Sequence, residues 1–88
     1  MQDNEEKILA NIVAELLSEI RLNTGKSLNL FCNEFSIPTS TLNDVENGKV
    51  NVTFFNLIKF LTAYNYDPID FMKKVKEKLP EGFLTPEE

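Results

Sequence analysis

The 88-residue chain is long enough for one domain around a single hydrophobic core, and too short to add a deep catalytic cleft to it. One cysteine and no histidine exclude an internal disulfide, the usual zinc sites and the Cys–His and Ser–His catalytic pairs. The net charge of −5 is unusual for a protein that binds nucleic acid.

A first helix is predicted where apolar residues recur every three or four positions. These residues are Ile8, Leu9, Ile12, Val13, Leu16, Leu17 and Ile20. The tripeptide Asn23-Thr24-Gly25 predicts the end of this helix, because glycine readily adopts the left-handed conformation found just after many helices.

Two short helices are predicted next, on either side of Pro38. Ser27 is the expected N-cap of a helix over residues 28–35, and a third helix extends over about residues 39–46. Pro38 separates them because it disfavours helical geometry in the preceding residue and has no N–H to continue the hydrogen-bond ladder. Asn47-Gly48 then ends the third helix. The side chains expected to face the core are Leu28, Phe31, Cys32, Phe35, Leu42 and Val45.

The last two helices begin at clear capping residues. Thr53 predicts a helix that continues to Tyr64, and Asp67-Pro68 predicts another that continues to about Leu79. The expected inward residues are Phe54, Leu57, Ile58 and Leu61 in the fourth helix, and Ile69, Met72, Val75 and Leu79 in the fifth. The phenylalanines expected in the core are Phe31, Phe35, Phe54, Phe60 and Phe71. Phe55 lies off the main stripe and is expected to be exposed or at an interface.

Together these elements predict an all-α, compact five-helix domain over residues 1–80, followed by a flexible tail over residues 81–88. The acidic residues 1–6 lack the order of a signal peptide, and no apolar run approaches the ~18 residues that span a bilayer. We therefore expect a soluble, cytoplasmic protein without a membrane partner.

The stretch SLNLFCNEFSIPTSTLNDVENGK, residues 27–49, has two short helices separated by three residues, as a helix-turn-helix requires. It resembles the helix-turn-helix domains of the phage lambda repressor and Cro type, and the resemblance extends over roughly residues 16–72. Its most specific piece is Val45-Glu46-Asn47-Gly48-Lys49. Arg21 and the Asp67-Pro68-Ile69-Asp70-Phe71 opening of the last helix are also similar to the family's pattern.

The resemblance implies that residues 39–43 begin the recognition helix, the helix that enters the major groove of DNA. It also implies a partly buried salt bridge between Arg21 and Glu46, which ties the first helix to the recognition helix. The chain departs from the family at two nearby positions. Ser36 replaces the common turn glycine, which predicts a locally altered turn, and Leu28 replaces a glutamine that often holds a phosphate.

Eight residues are candidates for DNA contact. Contacts with base edges or phosphates in the recognition helix are expected from Thr39, Ser40, Thr41 and Asn43. Contacts with flanking phosphates are expected from Lys26, Asn29, Lys49 and Asn51. The alternative for the first group is a role in helix capping and solvation, and for the second group an ordinary surface position.

Charge around the recognition helix is balanced rather than acidic. Between residues 24 and 60, three lysines offset Glu34, Asp44 and Glu46, so the acidic excess lies in the first helix and at the chain ends. The recognition helix has no arginine, the side chain best suited to guanine. Asp44 repels phosphate unless it points away or accepts from a cytosine amino group. Because few phosphates would be neutralised, we expect modest DNA affinity that rises with dimerisation.

These features predict a sequence-specific DNA-binding regulator, either a repressor or an antitoxin-like autoregulator. Its expected partners are double-stranded DNA, a second copy of the chain and, in the autoregulator case, a toxin. The alternative is a protein-interaction module that keeps the fold without binding DNA. The apolar edge Met72, Val75 and Leu79 forms either a two-fold dimer contact or only part of the monomer's core. We expect no enzyme activity, metal or cofactor, because no nucleophile–base pair, phosphate loop or metal cluster is apparent.

Overall fold

Five helices form the part of the chain that the computed structural model describes, which is residues 2–84, with side chains from Asn4 onward. They are α1 (Gln2–Asn23), α2 (Leu28–Phe35), α3 (Thr39–Glu46), α4 (Phe54–Tyr64) and α5 (Pro68–Lys78). These residues include no β-strand, so the predicted all-α, five-helix fold is confirmed. None of the helices between residues 2 and 84 is long and apolar enough to cross a membrane.

The helix boundaries follow the predicted capping residues. The hydroxyl oxygens of Ser27 and Thr53 accept hydrogen bonds from the third N–H of α2 and α4, each at 3.1 Å. The carboxylate of Asp67 accepts from the N–H of Ile69 at 2.8 Å. Gly25 follows α1 with φ of 77°, in the left-handed region. Each cap satisfies a backbone group that a helix end would otherwise leave without a partner, so these boundaries are set locally.

The core lies between α1 and the four shorter helices. Helix α1 packs against α3 and α5, and α2 packs against α3. The buried core side chains are Val13, Leu16, Leu17, Ile20, Phe31, Cys32, Ile37, Leu42, Val45, Leu57, Phe60, Leu61, Tyr64, Phe71 and Val75. Helices α2 and α3 have only eight residues each, too few for stability in isolation. Burial of their apolar faces therefore stabilises both helices and fixes the orientation of α3.

Three residues expected to face the core are exposed instead. Phe54 is 76% exposed, Ile69 is 66% exposed and Met72 is 53% exposed. The inner face of α4 is centred on Phe60, which leaves Phe54 at its edge, and α5 turns Phe71 inward. The predictions for Phe54, Ile69 and Met72 are wrong because several helix faces satisfy the same three-to-four spacing, and only packing chooses between them.

The apolar edge of α5 divides into a buried part and an exposed part. Val75 is buried and Leu79 packs against the core, so both close the monomer. Met72 is exposed and lies outside the core. Beyond Pro80, residues 81–84 form a turn, and the N–H of Leu84 donates to the Glu5 carboxylate at 2.9 Å. The flexible tail was predicted from residue 81; its last four residues, 85–88, lie outside the described residues.

One buried polar atom stands out in this core. Tyr64 stacks on Phe31 with ring centroids 4.5 Å apart, and no described residue makes a hydrogen bond with its hydroxyl. Burial raises the pKa of Tyr64 well above its usual range, and the negative charge of Glu46 raises it further. The folded protein therefore keeps Tyr64 neutral at a pH at which an unfolded chain releases the proton.

We expect Tyr64 to make folding stability fall with rising pH above about 10, the pKa of an unfolded tyrosine. Above that pH the unfolded state binds fewer protons than the native state, so the free energy of unfolding falls by about 1.4 kcal/mol per pH unit. Tyr64→Phe removes this term, and urea unfolding at pH 8 and pH 11 measures it. The difference between the two pH values should be about 1.4 kcal/mol smaller in Tyr64→Phe than in wild type. Tyr66→Phe retains Tyr64 and should behave as wild type; equal losses in all three proteins would contradict the prediction.

Candidate nucleic-acid interface

The turn between α2 and α3 sets the orientation of α3. Helix α2 ends at Ser36, whose φ of 55° and ψ of 43° are left-handed, and the N–H groups of Ser36 and Ile37 both donate to the carbonyl of Cys32. Ile37 is buried, which anchors the turn in the core. The expectation of an altered turn is wrong: serine takes the conformation that favours glycine, and burial of Ile37 offsets the cost of about 1–2 kcal/mol.

The small side chain of Cys32 lies where α2 and α3 pack against each other. It is fully buried, and burial raises the pKa of its thiol, so the sulfur stays protonated. Cys32 is thus an apolar spacer that lets two helix backbones approach closely, and it has none of the features of a reactive cysteine.

Helix α3 buries one side and presents polar residues on the other. Leu42 and Val45 are buried, and the helical period then directs the side chains of Ser40 and Asn43 to solvent. Thr39, three residues before Leu42, lies at the flank near Cys32 and is exposed because it begins the helix. All three are exposed, so no residue between positions 4 and 84 covers the start of α3. Thr41, the fourth residue predicted to contact DNA here, is half-buried at the flank.

The first turn of α3 also carries backbone groups without partners. Its N-cap is Pro38, which has no side-chain acceptor, whereas α2, α4 and α5 are capped by side chains. Among the described residues, none accepts a hydrogen bond from the N–H of Thr39 or Ser40. These donors lie at the positive end of the helix dipole, which attracts phosphate and other acceptors.

Asn47 was not predicted as a site residue, yet its side chain bonds to one that was. Its amide nitrogen donates to the side-chain oxygen of Asn43 at 3.1 Å and to the carbonyl of Asn43 at 2.8 Å. This contact holds the Asn43 amide with its NH₂ group free to donate outward. The spacing of four residues between Asn43 and the C-cap residue Asn47 is the sequence signal that would have identified the pair.

The other end of α3 is tied to α1 by an ion pair. Arg21 donates to both carboxylate oxygens of Glu46, from Nε at 2.8 Å and from Nη2 at 3.0 Å, and its third contact is the carbonyl of Lys26 at 2.9 Å. Ser18 donates to the same carboxylate at 3.1 Å. The Arg21 and Glu46 side chains are only 11% and 7% exposed, and the hydrogen bond to Glu46 raises the pKa of Arg21. The structure thus brings together the two residues predicted to pair, and adds Ser18, which the sequence did not suggest.

The four predicted phosphate contacts are dispersed around α3. Asn29 is exposed in the first turn of α2, and Lys49 is exposed just after α3. The ammonium of Lys26 is paired with Glu34 and lies 5.3 Å from the centroid of the Phe35 ring. Asn51 makes a hydrogen bond with α1. Its amide donates to the carbonyl of Glu6 at 3.1 Å, and with Lys49 it lines a cleft of about 560 Å³ between α1 and the loop after α3.

These pairings change the local charge balance. Two of the three acids between residues 24 and 60, Glu34 and Glu46, are held by Lys26 and Arg21. Lys49, Lys59 and half-buried Asp44 are the other charged residues of this segment, and Glu6 and Lys7 of α1 line the same cleft as Lys49. Residues 24–60 together with Arg21 therefore carry a small net positive charge, although the whole chain is acidic.

Comparison with known proteins accounts for this arrangement. A model of the helix-turn-helix family of the lambda repressor and Cro type matches residues 17–71, more than half of the chain. The matched segment contains the turn at Ser36, both partners of the Arg21–Glu46 ion pair and the whole of α3. Curated proteins and solved structures gave no significant match. The chain therefore belongs to the lambda repressor/Cro-like helix-turn-helix family.

Proposed function

We propose that this protein is a sequence-specific DNA-binding transcriptional regulator that reads the major groove with the first turn of α3. The observation that carries the proposal is the exposure of Thr39, Ser40 and Asn43 at a helix start that no side chain caps. The opposite face of α3 is buried and its far end is held by the Arg21–Glu46 ion pair. Readout of base edges requires a helix that is held rigidly and whose first turn exposes polar groups.

Each exposed group has a chemical role in this proposal. The Asn43 amide makes the two-pronged contact that asparagine makes with adenine: its NH₂ group donates, and its oxygen, which has a second lone pair beside the one used by Asn47, accepts. Thr39 and Ser40 donate to bases, and the Thr39 methyl contacts a thymine methyl. The free N–H groups at the start of α3, together with Asn29 and Lys49, bind phosphates on either side of the groove. Thr41, Lys26 and Asn51 make contacts at the edge of this surface, since each is half-buried or engaged with another residue.

The scarcity of free cations sets the expected mode of action. One copy neutralises few phosphates, so useful affinity requires two copies on a palindromic site, with recognition helices about 34 Å apart. Such a homodimer in the cytoplasm would act as a repressor or as an antitoxin-like autoregulator, the latter with a toxin bound to a surface other than α3.

Selection of duplexes from a random pool, followed by a salt titration of the selected duplex, tests this function. We expect the logarithm of the binding constant to fall linearly with the logarithm of salt concentration. The cations of this surface are Lys49 and, at its edge, Lys26, so about one or two phosphates neutralised per copy predict a slope of about −2 to −4 for a dimer. Lys49→Gln should flatten that slope by about one unit per copy. No duplex binding at the lowest salt, or a slope near zero, would contradict the proposal.

The second candidate is a protein-interaction module that has kept the fold. It is favoured by the pairing of Lys26 with Glu34 and by the absence of arginine from α3. This candidate predicts that duplex selection enriches no sequence at any salt concentration. The same experiment therefore separates the two functions.

A further inference from the structure

A cleft of about 560 Å³ lies between the N-terminal half of α1 and the chain that follows α3. Six polar side chains line it, Glu6, Lys7 and Asn11 from α1 and Asn47, Lys49 and Asn51 from the opposite wall. Its volume falls within the range of small-molecule sites, about 300–1,000 Å³. The α1 wall precedes residue 17, where the match to the helix-turn-helix family begins, so the cleft depends on a part of this chain outside the family segment.

Two contacts hold the walls of the cleft at a set distance. Gly48 has a φ of 71°, and α1 approaches its backbone so closely that a side chain at this position would collide with the amide oxygen of Asn11. The Asn51 amide donates to the carbonyl of Glu6 at 3.1 Å, which ties the loop to α1 at a second point. The cleft is therefore preformed, as small-molecule sites usually are.

Hydrogen-bond donors predominate in this cleft. Between residues 4 and 84, the ammonium groups of Lys7 and Lys49 pair with no carboxylate. Among the same residues, none accepts a hydrogen bond from the backbone N–H of Val50 or Asn51, and both residues line the cleft. An ammonium group has three donors and no acceptor. The cleft therefore suits an anion with several acceptor oxygens, and a phosphate group is such an anion.

One acid narrows the chemistry of the ligand further. Glu6 is exposed at the cleft, and its carboxylate can only accept hydrogen bonds, so a ligand beside it must supply a donor as well as a phosphate. Sugar hydroxyls are donors of this kind, and carboxylates bind ribose hydroxyls in many nucleotide sites. The DNA backbone has no free hydroxyl, and the Glu6 carboxylate repels its phosphates.

We propose that this cleft binds a phosphorylated sugar, either free or as part of a ribonucleotide. Lys7 and Lys49 bind its phosphate from opposite walls, and Glu6 accepts a hydrogen bond from one of its hydroxyl groups. The volume of about 560 Å³ leaves room for a sugar ring beside the phosphate. The site is separate from the start of α3, which stays exposed.

Occupation of the cleft should weaken DNA binding, and this consequence rests on the proposed function. Lys49 is also the cation expected to contact a DNA phosphate, and one ammonium group cannot bind both phosphates at once. Asn47 lines the cleft and donates to the side-chain oxygen of Asn43 at 3.1 Å, so a ligand phosphate that attracts the Asn47 amide releases Asn43. The ligand is then an effector that lowers the affinity for DNA, and DNA lowers the affinity for the ligand by the same factor.

Titration of ribose 5-phosphate into the full chain without DNA tests the site. We expect the amide signals of residues 6–11 and 47–51 to shift in ¹⁵N NMR spectra, with a dissociation constant of about 1 mM or lower for a ligand of this size. Lys7→Gln and Lys49→Gln should each raise that constant about 10-fold. Lys59→Gln is the matched control, because it removes an exposed lysine that does not line the cleft.

Inorganic phosphate and a duplex identify the occupant of the cleft. Wild type should bind ribose 5-phosphate more tightly than inorganic phosphate, and Glu6→Ala should reduce this preference about 5-fold or more. Equal binding of the two probes would overturn the sugar ligand. A second titration follows binding of the selected duplex, whose dissociation constant should rise several-fold when ribose 5-phosphate saturates the protein. An unchanged constant would overturn the effector role.

The remaining outcomes separate this site from the proposed function. Shifts at the cleft that both lysine variants weaken and Lys59→Gln retains support the site. No shift well above the expected constant, or equal binding in all the lysine variants, overturns it. If the probe does not bind and Lys7→Gln flattens the salt dependence of duplex binding, the phosphate in the cleft belongs to DNA and the proposal is overturned. Because the first titration contains no DNA, failure of duplex selection would contradict only the DNA-binding function.

Discussion

Glu46→Ala is expected to lower the free energy of unfolding by about 3 kcal/mol, which is a fall in melting temperature of roughly 12–24 °C for a domain of this size. The stability is lost because the substitution leaves the Arg21 guanidinium without its counter-charge. The guanidinium is largely buried and loses both hydrogen bonds to the carboxylate, and only the carbonyl of Lys26 remains as a partner. A buried charge without its counter-charge is costly, whereas the intact pair contributes little beyond its own desolvation.

A double-mutant cycle measures this coupling. Arg21→Ala should destabilise by a similar amount, and the double variant should be more stable than the sum of the two losses implies, because no unpaired charge remains. Glu34→Ala is the control: its ion pair with Lys26 is much more exposed, so the loss should stay below about 1 kcal/mol. If Glu46→Ala melted at the wild-type temperature, the Arg21–Glu46 pair would have no structural importance.

Asn43→Ala is expected to raise the dissociation constant for the selected duplex between about 30-fold and about 10⁴-fold. A two-pronged contact with one base contributes about 1–3 kcal/mol, and a dimer on a palindrome loses it twice. The loss should be confined to binding, because Asn43 is exposed and α3 is held by Leu42, Val45 and the Glu46 carboxylate. Binding assays on the selected duplex and on duplexes altered at single positions measure both affinity and specificity.

Two asparagines provide controls for the Asn43 prediction. Asn33→Ala removes the same amide from the exposed surface of α2 and should leave affinity unchanged. Asn47→Ala should weaken binding less than Asn43→Ala, since Asn47 acts by orienting the Asn43 amide. Specificity should relax at one base position in Asn43→Ala. Unchanged affinity in that variant would exclude the proposed contact between Asn43 and a base.

The helix ends could be predicted because the groups that set them are close in sequence. Ser27, Thr53 and Asp67 satisfy backbone N–H groups two or three residues later, and Pro38 acts on its immediate neighbour. The inward face of α4 and α5 could not be predicted in this way. It depends on which side chains α1 and α2 leave room for, and this is a property of the packed domain.

The site was predictable only in part for the same reason. Arg21 and Glu46 are 25 residues apart, and their pairing was expected from a family resemblance rather than from any local rule. Tertiary structure brings Lys26 to Glu34 and places Asn51 in hydrogen-bond contact with α1. The sequence carries no local signal for either contact. The Asn43–Asn47 bond did have one, a spacing of one helical turn.

Helix α3 uses separate residues for packing and for its exposed surface, and this separation has an evolutionary consequence. The side chains that hold this helix in place, Leu42, Val45 and Glu46, are separate from those at its exposed start, Thr39, Ser40 and Asn43. Surface positions of this kind usually change stability by less than about 0.5 kcal/mol when substituted. If α3 reads DNA as proposed, a lineage carrying this scaffold can therefore acquire a new target site through a few exchanges at the start of α3, without compensating changes in the rest of the molecule.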